Sequence, residues 1–168
     1  MKQDSLAKFI KRIQKVWGPL STEVVEQAQV ILEDLTKASS SEPWLLELLN
    51  GFEGSRELYR DPVHGFILLA HTEKKDLYRV PHDHGNGWVI YAVQKGEMEM
   101  GIYASLPGEN EEPKIVRREK YRVQAGESKI YLPGDIHDTK CISDFVLMFR
   151  LTSLDLKEEL GAGRMRRF

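Results

Sequence analysis

Val80-Pro81-His82-Asp83-His84-Gly85-Asn86-Gly87 sets two histidines two residues apart between a proline and a glycine. On an extended segment, residues i and i+2 point to one face, so His82 and His84 present their imidazoles together and Asp83 turns to the other side. Pro81 disfavours helix before it and Gly85 disfavours helix after it, and in a helix the two rings would diverge. A third histidine, His137, follows Leu132-Pro133-Gly134-Asp135-Ile136, a tight turn that can deliver its side chain to the same place from a distant strand. Taken singly, each reads as a loop or hydrogen-bonding histidine. Imidazole suits iron, copper, nickel and zinc, and three nitrogens leave coordination positions open for a substrate or dioxygen, which is a catalytic type of site.

Around this stretch the chain consists of short β-branched and aromatic runs: 57–60, 66–72, 88–93, 97–104, 115–123, 129–132 and 144–152. Turn residues separate them at Asp61-Pro62, Gln94-Lys95-Gly96, Gln124-Ala125-Gly126 and Pro133-Gly134. Many short strands in series predict a mainly β, antiparallel barrel or jelly roll and not βαβ crossovers. Residues 106–114, rich in Glu, Gly and Pro, read as a solvated hairpin loop. Trp88–Val93 is nearly continuous in apolar residues and is expected to be buried on both faces. In Phe145–Thr152, one face carries Phe145, Leu147, Phe149 and Leu151 and the other Val146, Met148, Arg150 and Thr152. The first face is expected to pack under helices and the second to line a cavity, which puts the Arg150 guanidinium near the histidines, where it can pair an anion bidentately. On an edge strand, Arg150 would instead face solvent.

Upstream, Leu6, Phe9, Ile10, Ile13, Val16 and Trp17 recur at helical spacing behind a cap at Asp4 or Ser5, and Gly18-Pro19 ends the run. A second helix from about Ser21 carries Val24, Ala28, Ile31, Leu32 and Leu35, and a third opens at Pro43 and stops at Asn50-Gly51. The chain therefore reads as one domain, residues 1–168, with a helical layer (1–50), a β-barrel (51–155) and a C-terminal tail (156–168). The small, basic end Gly161–Phe168 is expected to be disordered or lightly docked.

Lys plus Arg number 24 against 26 Asp plus Glu, a net charge of −2, which offers no field for nucleic acid or a membrane surface. No apolar run approaches a membrane span, and the charged start Met1–Gln14 does not read as a signal peptide, so a cytoplasmic location is expected. The lone cysteine, Cys141, excludes an internal disulfide and a cysteine-based zinc cluster, and is expected to be a small buried hydrophobe. His64 and His71 precede the His-x-His stretch and read as surface or hydrogen-bonding residues. Gly85-Asn86-Gly87 lacks the third glycine and following helix of a dinucleotide loop.

The chain resembles the cupin superfamily over about residues 58–152. Its first motif, G-x5-H-x-H-x(3,4)-E-x6-G, is matched by His82, His84 and Gly96, with Asp76 at the leading glycine and Val89 at the glutamate. The second, G-x5-P-x-G-x2-H-x3-N, is matched by Gly126, Gly134 and His137, with Pro133 displaced by one and Cys141 in place of the asparagine. The resemblance implies a double-stranded β-helix with a metal inside, held by His82, His84 and His137. Without the motif glutamate a divalent ion keeps its full charge and favours an anionic substrate such as a thiolate or enolate.

Pro81-His82-Asp83-His84-Gly85 followed by Trp88–Tyr91, and Leu58-Tyr59-Arg60-Asp61-Pro62, look like the cysteine-dioxygenase-type family. That likeness implies iron(II), with zinc, nickel or manganese as alternatives, and a small-molecule substrate oxidised with dioxygen, a thiol bearing a carboxylate being the preferred class. It puts Arg60 near a carboxylate-binding arginine, although a surface arginine is the alternative there. Tyr91, on the cavity side by the same comparison, is either a core tyrosine or a hydrogen-bond donor to a bound oxygen species. The family's thioether cross-link is impossible, since Val89 replaces its cysteine and Thr152 its tyrosine. A metal-dependent isomerase, lyase or carbon–carbon cleaving dioxygenase, and a non-catalytic binding cupin with residues 4–37 as a dimer surface, share the same ligands.

Overall fold

Asp4 accepts a hydrogen bond from the Ala7 amide (2.7 Å) and Ser21 from the Val24 amide (3.2 Å), and these caps start the first two helices. In the computed structural model, which describes residues 4–108 and 112–168, helices α1 (Ser5–Val16), α2 (Thr22–Thr36) and α3 (Pro43–Leu49) precede the strands. These are β1 (Gly54–Arg60), β2 (Ile67–Lys74), β3 (Tyr78–His82), β4 (Val89–Lys95), β5 (Glu97–Leu106), β6 (Lys114–Gln124), β7 (Ser128–Tyr131), β8 (Ile136–Cys141) and β9 (Phe145–Thr152), followed by helix α4 (Leu156–Gly161). The expected hairpin loop 106–114 includes 109–111, which lie outside the described residues.

All strand pairs are antiparallel and form two sheets, one ordered β1-β2-β9-β4-β7 and the other β3-β8-β5-β6. Two facing sheets that share consecutive strands in this way make a double-stranded β-helix, a mainly β fold with helices at its N-terminal side. Side-chain alternation divides the first sheet into two faces. Leu68, Ala70, Ile90, Ala92, Leu147, Phe149 and Leu151 pack with Phe9, Ile13, Ala28, Leu32, Leu45 and Leu48 from the helices. Trp17 closes this layer, its ring 4.6 Å from Phe66 and 5.0 Å from Trp88. The opposite face turns Val89, Tyr91, Val93, Val146 and Met148 into the barrel, against Met98, Met100 and Val123 of the second sheet.

Register then fixes which polar groups meet inside. Arg150 lies opposite both Leu69 on β2 and Tyr91 on β4, and Met148 opposite His71 and Val93. Directly opposed residues share a face, so His71, Tyr91 and Arg150 all point into the barrel. No helix among the described residues is long and apolar enough to cross a membrane.

Strands β3 and β8 are not among the runs read from the sequence, and the tail and β2 also depart from it. The tail is neither disordered nor lightly docked. Residues 156–161 form α4, and the chain beyond it lies along β3: the Phe168 amide donates to Pro81 O (2.9 Å), Asp83 and Arg166 exchange two bonds, and Arg167 bridges to His82. Apart from the Asp83 carboxylate, which accepts the Arg166 amide, backbone groups make these contacts, so composition does not foretell them. Strand β2 extends past Thr72 to Lys74, which moves His71 from a strand end to an interior, inward-facing position.

Candidate metal centre

His82 ends β3 directly opposite His137 on β8, so strand pairing alone brings two of the rings together. His84 follows in a turn closed by Gly87 N–H to His84 O (3.1 Å) and Gly85 N–H to the Asp83 carboxylate (3.1 Å). Asp83 thus faces away from the rings and takes the tail amide of Arg166 as well (2.8 Å). Asp138, on the face of β8 opposite His137, accepts from the Gly101 amide (2.7 Å) and the Tyr78 and Tyr103 hydroxyls, locking β8 between its neighbours.

One ring nitrogen from each of His82, His84 and His137 lies within 4.8 Å of the others. His82 donates its Nδ1 proton to Val80 O (2.8 Å), which leaves its Nε2 lone pair free. The Nε2 atoms of His84 and His137 face each other at 3.2 Å. Two nitrogens on one ion, each about 2.1 Å from it, stand roughly 3.0–3.4 Å apart at angles of about 90–110°. The His84–His137 pair has that spacing, and with a His82 nitrogen within 4.8 Å of both, the three imidazoles make a donor set suited in its chemistry to a divalent metal. Burial pushes the His84 imidazole down to about 3 and His137 well below its ordinary value, and lowers His82 too, so all three are neutral at pH 7, the ligating form. Tyr131, which sequence reasoning passed over, stacks on His137 with ring centroids 3.8 Å apart and fixes its plane.

The centre opens on a cavity of about 340 Å³ lined by His82, Tyr91, Met148 and Arg150, with Arg79 and the tail residues Met165 and Arg167 at its wall. The Tyr91 hydroxyl stands 3.3 Å from His84 Nε2. Burial raises the pKa of that hydroxyl, against the opposing pull of Arg150, and keeps it protonated. Arg150 Nε is buried without a hydrogen-bond partner. His71, expected at the surface or hydrogen-bonded, is instead buried in this wall with neither ring nitrogen partnered.

Arg60 is not brought to the histidines. On the edge strand β1 its guanidinium binds Glu57 (2.8 Å) and Asp155 (2.9 Å), and it lines a neighbouring cavity that shares only Arg150 and Met165 with the first. Cys141 is buried, its thiol pushed up to about 11 by burial, and no thiolate nucleophile is available there.

The Glu159 carboxylate holds the tail over the ligand turn. It binds Arg164 (2.8 and 3.0 Å) and accepts the Asn86 amide (3.0 Å), and a side chain at Gly85 would collide with it. The Arg164 bond above all lowers its pKa to about 2. Because the folded value lies below the ordinary carboxylate range, this clasp contributes stability at neutral pH and loses it as pH falls toward 2. Glu159→Gln is expected to raise hydrogen exchange at the Arg166 and Phe168 amides about tenfold or more at pH 7; unchanged exchange would mean the tail docks without the clasp.

Fold and site together define a double-stranded β-helix whose inner wall gathers three neutral imidazoles beside a buried arginine whose Nε has no hydrogen-bond partner. No family model matches the sequence, and no curated protein matches it. Solved structures similar to the chain include KdgF from Halomonas sp., at 16% identity and a TM-score of 0.46 over 58% of this chain and 74% of that one. Another is the cupin domain of Cnp3 from Schizosaccharomyces pombe, at 13% identity and a TM-score of 0.48 over 66% of each chain. A recombinant oxalate oxidase in complex with glycolate is 22% identical with a TM-score of 0.46, over 62% of this chain, which spans about half (53%) of the oxidase.

Proposed function

We propose that this chain is a metal-dependent enzyme of the cupin type that holds iron(II) through His82, His84 and His137 and oxidises a small thiol bearing a carboxylate to a sulfinate with dioxygen. The observation that carries this reading is the convergence of three ring nitrogens within 4.8 Å, with His82 bordering a cavity that also contains Arg150 with an unpartnered Nε. Three neutral imidazoles leave a divalent ion its full charge, which suits an anionic ligand such as a thiolate. The metal, when bound, supplies open positions for sulfur and dioxygen, and the overall change, R–SH + O2 to R–SO2H, places both oxygen atoms in the product.

The protein's own groups divide the remaining work. Arg150 binds the carboxylate and sets the substrate's direction, since a guanidinium fork pairs a carboxylate at two points. Tyr91, protonated and buried, donates a hydrogen bond toward oxygen atoms beside His84. Met148 and Met165 shield the same space from water. Arg60, already engaged by two carboxylates, has no part in this reading.

Arg150→Gln is expected to raise KM for a carboxylate-bearing substrate about tenfold or more while leaving metal content unchanged. An unaltered KM removes Arg150 from substrate binding. The reading as a whole is tested by oxygen uptake and sulfinate formation by the iron-loaded protein across a panel of small thiols. Stoichiometric uptake supports it; tight binding of a thiol with no uptake would mark the chain as a binding protein.

A further inference from the structure

Beyond His82 and Arg150, β2 and β8 present His71, Glu73 and Thr139 to the same cavity. These side chains are 6%, 2% and 2% exposed, yet both ring nitrogens of His71, Glu73 Oε2 and Thr139 Oγ1 have no hydrogen-bond partner. Buried polar atoms are nearly always paired, so several unpaired atoms from two strands, all bordering one space, mark a place where a ligand or water completes the bonding. The other Glu73 oxygen is occupied, by Arg79 Nε at 2.7 Å, which holds the carboxylate in place and leaves Oε2 to the cavity.

The kinds of atom on this wall limit what can occupy it. Glu73 Oε2 only accepts, the His71 ring offers one acceptor nitrogen in its neutral form, and the Thr139 hydroxyl accepts as well as donates. A carboxylate placed here meets Glu73 as a like charge, and a methyl group leaves every atom unpaired. A hydroxyl satisfies one acceptor. A primary ammonium carries three donors and can satisfy all three, sharing the Glu73 carboxylate with Arg79, which holds its other oxygen. We infer that His71, Glu73 and Thr139 form a subsite for a primary ammonium group, so that the amine of an aminocarboxylate ligand is held by the barrel wall while Arg150 holds its carboxylate. This rests on the proposed function for the Arg150 half.

The test uses the full chain loaded with one equivalent of zinc and measures calorimetric affinities for alanine, lactate and propionate, which differ only in the group at the second carbon. Chelation of the ion by an amine would also favour alanine but is insensitive to Glu73, so the decisive quantity is the effect of Glu73→Gln. That variant is expected to weaken alanine about tenfold or more, with lactate and propionate changed less than about twofold. Thr139→Val, which keeps the side-chain shape, is expected to weaken alanine selectively by about threefold. Alanine affinity unchanged in Glu73→Gln, or an equal loss for all three acids, overturns the ammonium subsite and leaves the metal and Arg150 assignments standing. Failure of all three acids to bind the zinc-loaded wild type overturns the Arg150 assignment and the subsite with it.

Discussion

His84→Ala is expected to reduce bound metal from near one equivalent to almost none when the protein is reconstituted and then passed through a chelating column. Removing a partner that merely orients a ligand costs about 10–100-fold in metal affinity, so removing a ligand itself costs more. His84 is fully buried, with its Nε2 3.2 Å from that of His137. Cooperative unfolding of the variant should persist, because the helix-facing core lies on the other side of the sheet. Retention of a full equivalent after His84→Ala would show that metal sits elsewhere.

Phe149→Ala is expected to destabilise the fold by about 3–5 kcal/mol, and to lower Tm by roughly 6–20 °C for a chain of this size. Phe149 is fully buried between the first sheet and the helices, its ring 5.8 Å from Trp44. Its cross-strand partners on the two sides are Ala70 and Ala92, both too short to fill the space a lost ring leaves. A cavity with such rigid, small neighbours relaxes little, which puts the cost toward the upper end of the range. Because Phe149 points away from the histidines, metal uptake by the folded variant should match the wild type. A Tm within about 2 °C of the wild type would show that the helices contribute little to the core.

The helices and most strands were legible because their apolar periodicity serves packing alone. β3 and β8 escaped as strands for the opposite reason. β3 contains Pro81 and is mostly exposed, while β8 reads Ile136-His137-Asp138-Thr139-Lys140-Cys141 and is largely buried, its interior positions occupied by polar groups that serve the site or lock the sheets. Where side chains serve the site, the hydrophobic alternation that announces a strand disappears. His82 and His84 could be found from spacing because i, i+2 geometry is local, and His137 from the tight turn before it and its place in the second motif. His71, by contrast, depended on how far β2 runs, and two further residues of strand turned an apparent end into an inward-facing position. Asp76, at the leading glycine of the first cupin motif, adopts φ 67°, so the local conformation that glycine favours is present although the residue is not. The docked tail left no sequence trace, since backbone hydrogen bonds, the Asp83 carboxylate and one Glu159–Arg164 pair hold it.

The central claim is that His82, His84 and His137 together bind one divalent metal. X-ray absorption on the protein loaded with one equivalent of zinc tests this most directly. The account predicts about three imidazole nitrogens at about 2.0–2.1 Å from the ion, with the remaining positions filled by light, exchangeable ligands. A first shell dominated by carboxylate oxygen, sulfur from Cys141, or a single imidazole would contradict it.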